Sequence, residues 1–312
     1  MRILVFGAGA IGSVVGGFLS RSSNEVILYG RARRLSSVKR NGLKVTGILG
    51  RHTFKHFKLC TKLSKLSCFL RAFDLVLLTV KSFDTRRAAR ELKPLIGPHT
   101  LVCSLQNGLG NIETLHEFFP KRQVLAGRVI FGSELKRDRA NVTVWGGDVL
   151  IGETQSLNMT SRVGELAKLF TRAGIRSKPV RDIRTHLWGK VIYNCSLNPL
   201  ASLLGVHYGE LLEHPETRLI MRAIVGECYA VAKRARIRLT PKTPAAYEKL
   251  LFRRLIPATY HHHPSMLYDL KRSRKTEIDV LNGAVCRLGK RFGVKTPVNQ
   301  FVTQLVKRKT QI

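Results

Sequence analysis

The sequence predicts an α/β fold: a Rossmann-type doubly wound sheet over residues 1–181, followed by an all-helical domain over residues 182–312. Three observations carry this. Up to Arg181, short apolar runs alternate with segments of helical spacing, the signature of βαβ units. Beyond Arg181 there are long helical stretches and no convincing strand. The chain also opens with Gly7-x-Gly9-x-x-Gly12 set between an apolar strand and an apolar helix.

That opening carries chemistry as well as fold. Gly7 permits a tight turn, Gly9 lets the backbone approach a pyrophosphate, and Gly12 lets helix and strand pack closely. The backbone of Gly7, Ala8, Gly9, Ala10, Ile11 and Gly12 then cradles a dinucleotide at a helix N-terminus. The next strand, Glu25 to Gly30, ends in Gly30-Arg31 where an NAD enzyme carries Asp or Glu. A carboxylate would repel a ribose 2′-phosphate, whereas a guanidinium holds it bidentately. The pattern therefore favours NADPH/NADP with Arg31 on the phosphate and Arg33 and Arg34 nearby; Arg31 in a solvated loop is the plainer reading.

The uncharged run Ile3 to Ser20 superficially resembles a signal or anchor, but its five glycines would weaken an isolated helix and a second strand follows it. No other run approaches the roughly 18 apolar residues of a span. A soluble, cytoplasmic chain without a membrane span is expected. The six cysteines lack metal-ligand spacing and read as reduced thiols. His261-His262-His263 has no suggestively spaced Cys or carboxylate partner, so no metal site is expected.

The strands expected after the first two are Phe73 to Val80, Thr100 to Leu105, Val124 to Ile130, Asn141 to Leu150 and Ile175 to Val180, all in one open sheet. Helices are expected at Arg86 to Ile96, Ile112 to Phe118 and Ser161 to Ala173, with a short β excursion within Gly42 to Thr61. In the second domain they are expected at Thr185 to Leu204, Pro215 to Ala235, Pro244 to Leu255, Ser265 to Arg272, Glu277 to Phe292 and Asn299 to Lys307. For Glu277 to Phe292, Thr276 is the expected N-cap and Gly293 the stop.

Lys and Arg number 54 against 20 Asp and Glu, a net charge of +34. The excess is spread over the chain, 25 against 10 in residues 1–156 and 29 against 10 in residues 157–312. Val26 to Phe73 alone holds twelve basic and no acidic residues. Such a surface draws in anionic small molecules and binds polyanions non-specifically, or it reflects a general basic bias.

Lys190, Asn194 and Asn198 recur every four residues and share one helix face in a segment otherwise rich in apolar side chains. By spacing alone this is either a solvated face or the lining of a cleft. Pro199 cannot donate to the Cys195 carbonyl, so a kink is expected there. Ser265 reads most simply as an N-cap and Glu277 as a first-turn acid.

Taken together, the glycine-rich start, Val80-Lys81-Ser82, Gln106-Asn107-Gly108-Leu109-Gly110-Asn111, Trp188 to Gly205, Ser265-Met266 with Asp269, and Thr276-Glu277-Ile278-Asp279 closely resemble the ketopantoate reductase (2-dehydropantoate 2-reductase) family. The likeness spans nearly the full chain, in order. It implies NADPH-dependent reduction of 2-dehydropantoate to (R)-pantoate, a step toward pantothenate and coenzyme A, at a site between the two domains. It further implies that Lys190 is catalytic, that Asn194 and Asn198 orient the substrate, and that Ser265 meets its carboxylate. Arg31 and Lys81 become cofactor phosphate contacts, Asn107 meets ribose and the edge of the active site, and Glu277 lies at the nicotinamide end. The implied partner is a small 2-oxoacid, handled by a monomer or homodimer. Two other functions fit the same residues: another NADP-dependent 2-oxoacid reductase, or a basic nucleic-acid-binding protein retaining the scaffold.

Overall fold

A computed structural model describes residues 1–69, 72–136 and 139–311, with side chains from Ser67 to Phe69 outside the description. The chain divides into two compact units. One comprises Met1–Gln106 with Asn111–Ile183, the other Asn107–Gly110 with Arg184–Ile312.

The first unit is built on strands β1 (Arg2–Phe6), β2 (Glu25–Tyr29), β3 (Leu43–Gly47), β4 (His52–Phe54), β5 (Lys58–Cys60), β6 (Leu75–Leu78), β7 (Leu101–Ser104), β8 (Val124–Arg128), β9 (Phe131–Leu135), β10 (Arg139–Trp145), β11 (Val149–Glu153) and β12 (Ser177–Pro179). Its helices are α1 (Ala10–Leu19), α2 (Ala32–Asn41), α3 (Thr85–Leu92), α4 (Asn111–His116) and α5 (Ser161–Arg172). Eight strands form one sheet in the order β12-β11-β8-β7-β6-β1-β2-β5, with every pair parallel except β8–β11. β1 and β6 are apolar along their length because both faces of a parallel sheet are covered. One cluster of core side chains, including Val5, Val14, Leu28 and Leu77, covers one side; Leu4, Phe6, Val76 and Leu78 pack with Ala88 and Leu115 in another.

The uncharged run at the start splits into β1 and α1, and α1 is buried along Gly12–Leu19. Its outer partner is a second sheet, β4-β3-β10-β9, which supplies Leu43, Val45, Phe54, Ala140 and Val142 to the same core. This sheet corrects two expectations. The β excursion is three strands divided between both sheets, with β5 in the large one. Asn141 to Leu150 is not one strand of the open sheet: β10 lies in the second sheet, Gly146 donates to the Ile130 carbonyl at 2.8 Å, and β11 enters the first. The glycine pair Gly146-Gly147 breaks the run, and β9 gives β10 an antiparallel partner that no sequence pattern had signalled.

The second unit is helical: α6 (Ile183–Leu204), α7 (Pro215–Arg234), α8 (Pro244–Leu250), α9 (Ser265–Lys271), α10 (Asn282–Phe292) and α11 (Pro297–Thr310). α8 continues as a short π-helical turn over Leu251–Leu255. Glu277 to Phe292 is not a single helix capped by Thr276. A 3-10 turn, Ile278–Val280, is followed by Leu281 at ψ −110°, and α10 starts only at Asn282. The apolar face survives the break, with Ile278, Leu281 and Val285 all buried. Gly293, at φ +69°, ends α10, and Val294 donates back to the Gly289 carbonyl at 2.8 Å. Among the described residues no helix is long and apolar enough to cross a membrane. Five cysteines are free thiols, four of them buried; the Cys68 side chain lies outside the described residues.

Candidate active site

Two clusters of the expected residues are assembled within the units that hold them. In the first unit, the register Phe6↔Tyr29 brings the ends of β1 and β2 level, and the Gly7 amide donates to the Tyr29 carbonyl at 3.0 Å. The glycine turn and the turn leading to α2 therefore lie side by side. Arg31 is exposed at the N-cap position of α2, just after the end of β2.

The three motif glycines differ in what constrains them. Gly7 adopts φ +127°, and a side chain there would meet Val80 N at 2.8 Å. A Cβ on Gly12 would lie 2.0 Å from the Gly7 carbonyl oxygen and 2.6 Å from Thr79 Oγ1. Gly9 is different: a Cβ would find only the Thr79 carbonyl oxygen, at 4.0 Å, and φ −74° suits any residue. The protein itself gives no reason for glycine at position 9. Bare backbone there, at the head of a helix without acidic first-turn residues or a side-chain cap, fits a pyrophosphate approaching the amides of Ala10, Ile11 and Gly12.

Thr79 is a contributor that sequence reading missed. Its hydroxyl donates to the Gly7 carbonyl at 2.8 Å and locks the glycine turn to the end of β6. Two residues on, Lys81 precedes the 3-10 turn Ser82–Asp84. That turn is braced from the next loop: Asn111 Nδ2 donates to Ser82 Oγ at 3.3 Å, and Gln106 Nε2 to the Val80 carbonyl at 3.0 Å. The motif Gln106 to Asn111 is thus held at both ends by the first unit, while Asn107–Gly110 group with the second.

In the second unit, Lys190 Nζ donates to Asn107 Oδ1 at 2.6 Å, joining two expected residues 83 positions apart. An ammonium can only donate, so this bond fixes the amide with its carbonyl toward the lysine. The segment is anchored by Leu109, whose N–H donates to the Val280 carbonyl at 2.9 Å. Behind the lysine turn, the buried Tyr247 hydroxyl donates to the Gly189 carbonyl at 2.8 Å.

Asn194 and Asn198 are 7% and 9% exposed, so at these two positions the stripe is not a solvated face, while Lys190 is half-buried. The Asn198 Oδ1 accepts from the Tyr208 hydroxyl. Burial pushes the Tyr208 phenol well above its usual range, so it stays a donor. Asn198 is thereby oriented with its NH2 as the other end. The Asn194 amide makes no hydrogen bond among the described residues, so its donor and acceptor are both open. Nearby, burial raises the Tyr193 phenol to about 12, and its hydroxyl pairs with Thr259 Oγ1 at 2.8 Å.

The remaining expected residues are placed less tightly. Ser265 is exposed, and its hydroxyl makes no hydrogen bond among the described residues. It opens α9 as the first helical residue, with Pro264 at the N-cap position, so the simple N-cap reading is not realised. Glu277 is 9% exposed and precedes the 3-10 turn rather than heading a long helix. Among the described residues no group of three or more His, Cys, Asp or Glu side chains is placed to hold a metal ion. His207 and His263 instead stack, with ring centroids 3.7 Å apart, and His207 pairs with Glu210 at 2.8 Å.

Residues 3–156 match the family model described as Ketopantoate reductase PanE/ApbA, and residues 182–310 match Ketopantoate reductase PanE/ApbA C terminal. The 2-dehydropantoate 2-reductase of Aquifex aeolicus is 39% identical over 310 residues, covering 99% of this chain and 97% of that protein. The enzyme of the same name from Archaeoglobus fulgidus is 31% identical over 98% of this chain and 97% of its own length. Among solved structures, a PanE/ApbA family ketopantoate reductase from Ralstonia eutropha superposes with a TM-score of 0.87 at 30% identity, covering 100% of this chain and 99% of that one. A ternary structure of D-mandelate dehydrogenase with NADH and anilino(oxo)acetate gives 0.90 at 27% identity, covering 100% and 98%. With matched models over both units and relatives aligned end to end, the chain belongs to the ketopantoate reductase family.

Proposed function

We propose that this chain catalyses NADPH-dependent reduction of 2-dehydropantoate to (R)-pantoate, a step toward pantothenate and coenzyme A. The observation that carries the reading is the Lys190–Asn107 bond at 2.6 Å, on the same helix as two buried amides, one of them without a partner. An ammonium held by an amide beside two largely buried amides, one with an open hydrogen-bonding capacity, suits a polar ligand.

The residues that would hold the cofactor are the backbone of Gly7 to Gly12 for the pyrophosphate, Arg31 for the 2′-phosphate, Lys81 for a further phosphate, Asn107 for the ribose and Glu277 near the nicotinamide. NADPH, when bound, supplies a hydride to the substrate's keto carbon. Lys190 offsets the negative charge that grows on the keto oxygen, donates its proton there, and regains one from solvent. Asn107 fixes the direction of the lysine ammonium. Asn198, its carbonyl end occupied by Tyr208, offers a donor to a substrate oxygen. Asn194 offers both a donor and an acceptor, and so suits a substrate hydroxyl. Ser265 offers its hydroxyl to the carboxylate.

The test is oxidation of NADPH by the purified chain on adding 2-dehydropantoate, with (R)-pantoate identified as product; no turnover removes the assignment. A second reading, another NADP-dependent 2-oxoacid reductase, is favoured by the likeness to D-mandelate dehydrogenase. A panel of 2-oxoacids separates the two by kcat/KM. On either reading we take the chain to work in the cytoplasm as a monomer or homodimer, with salt-sensitive binding of polyanions to its basic surface. Light scattering and salt titration check these points.

A further inference from the structure

Pro199 creates a demand inside α6. It has no N–H, so the Cys195 carbonyl loses its helical donor, and the pyrrolidine ring crowds the same oxygen. Cys195 is fully buried, and a buried carbonyl without a donor needs one from elsewhere. Asn282, the first residue of α10, supplies it: Nδ2 lies 3.1 Å from the Cys195 oxygen and 3.0 Å from Asn299 Oδ1. Asn299 Nδ2 in turn donates to Glu227 Oε2 at 2.6 Å. The Glu227 carboxylate also receives the backbone N–H groups of Val298 and Asn299, at 2.8 and 2.9 Å, where α11 begins. Asn282 and Asn299 are both 0% exposed. The Asn282 Oδ1 has no partner among the described residues, so this amide is kept in an apolar core for its N–H donors alone.

We propose that Asn282 is a positioning residue for the reaction. Its amide stands in for the hydrogen bond that Pro199 removes, one residue from Asn194 and three from Asn198, and so fixes where these two amides sit relative to Lys190. The proposal rests on the reading that Asn194 and Asn198 hold the substrate. A carboxylate on α7 is thereby tied through α11 and α10 to the turn of α6 that carries them. Loss of the donor lets that turn relax, and displacements on the order of an ångström at orienting groups cost on the order of a hundredfold in turnover.

The test uses the full chain with Asn282→Leu, which keeps the volume and removes the donor, Pro199→Ala, which restores the N–H, and the two combined. For Asn282→Leu, kcat should fall on the order of a hundredfold and KM for the 2-oxoacid should rise, while Kd for NADPH stays within about twofold. The double variant should recover kcat to within about fivefold of Pro199→Ala alone. Its thermal midpoint should remain low, because Asn299 still lacks its donor. Stability and turnover then part, which a merely structural role would not allow. Near-normal kinetics in Asn282→Leu, or a folded double variant without recovery, overturns the proposal. If the wild-type chain turns over no 2-oxoacid, the functional reading falls and hydrogen exchange along residues 190–204 decides the part of Asn282. Protection lost in Asn282→Leu and regained in the double variant supports it; unchanged protection overturns it.

Discussion

Gly9→Ala and Gly12→Ala add the same methyl group three residues apart, and the structure assigns them opposite outcomes. At position 12 the new Cβ would lie 2.0 Å from the Gly7 carbonyl oxygen, which the Thr79 hydroxyl holds at 2.8 Å. That oxygen is backbone and cannot rotate away, so β1, α1 or both must move. Overpacking of this kind costs about 3 kcal/mol or more. In a unit of this size that lowers the melting temperature by about 6–12 °C. At position 9 the methyl meets nothing nearer than 4.0 Å, and the backbone angles already suit alanine. A small loss of N-cap preference is offset by the lower entropy of the unfolded chain, leaving a net change within about 1 kcal/mol, or about 4 °C. On the proposed placement of the pyrophosphate over the Gly9 backbone, the same methyl would stand in its way, so the NADPH Kd should rise at least about tenfold, roughly 1.4 kcal/mol. Circular dichroism melts and NADPH fluorescence titrations measure both quantities. If Gly9→Ala melts as early as Gly12→Ala, or binds NADPH normally, the reasoning that position 9 is glycine for the ligand is refuted.

Lys190→Ala should lower kcat by orders of magnitude with NADPH affinity largely kept; near-normal turnover in a steady-state assay would displace Lys190 from its role. Arg31→Ala should weaken NADPH much more than NADH, and equal losses by titration would remove the 2′-phosphate contact. Arg162→Met should destabilise the first unit by about 3–5 kcal/mol, a drop of about 6–20 °C, because Glu153 is 3% exposed and its Oε2 lies 2.5 Å from Arg162 Nη2. A fall of less than about 3 °C would contradict the buried pair. Burial by itself would raise the Glu153 carboxyl, but Arg162 and the Thr160 hydroxyl outweigh it and hold the group below its usual range. A depressed folded-state value means stability present above the unfolded pKa of about 4.3 and lost as pH falls through the folded one; wild-type acid melts should show that loss, whereas in Arg162→Met, with burial left to raise the carboxyl, the deficit relative to wild type should shrink as pH falls and protonation neutralises Glu153.

The features legible in the sequence were those with a local cause. The glycine turn, the parallel strands β1, β2, β6, β7 and β8, and the helices of the second half rest on periodicity and on residues with few permitted conformations, so neighbours alone specify them. Lys190, Asn194 and Asn198 fall on one face because of helical spacing, and the orphan carbonyl at Cys195 follows from Pro199 alone. The second sheet was not legible, because β3 pairs with β10 across nearly a hundred residues and β9 carries no clean alternation. The break at Leu281 was hidden by an apolar face that runs straight through it. Only the tertiary structure showed that Asn194 and Asn198 on α6 are buried, that Asn107 meets Lys190, that Tyr208 orients Asn198, and that Asn282 answers the demand made by Pro199. The division has one physical reason. Backbone conformation is set by each residue and its neighbours, whereas the partner of a buried polar group is whichever distant segment packing brings within hydrogen-bond range.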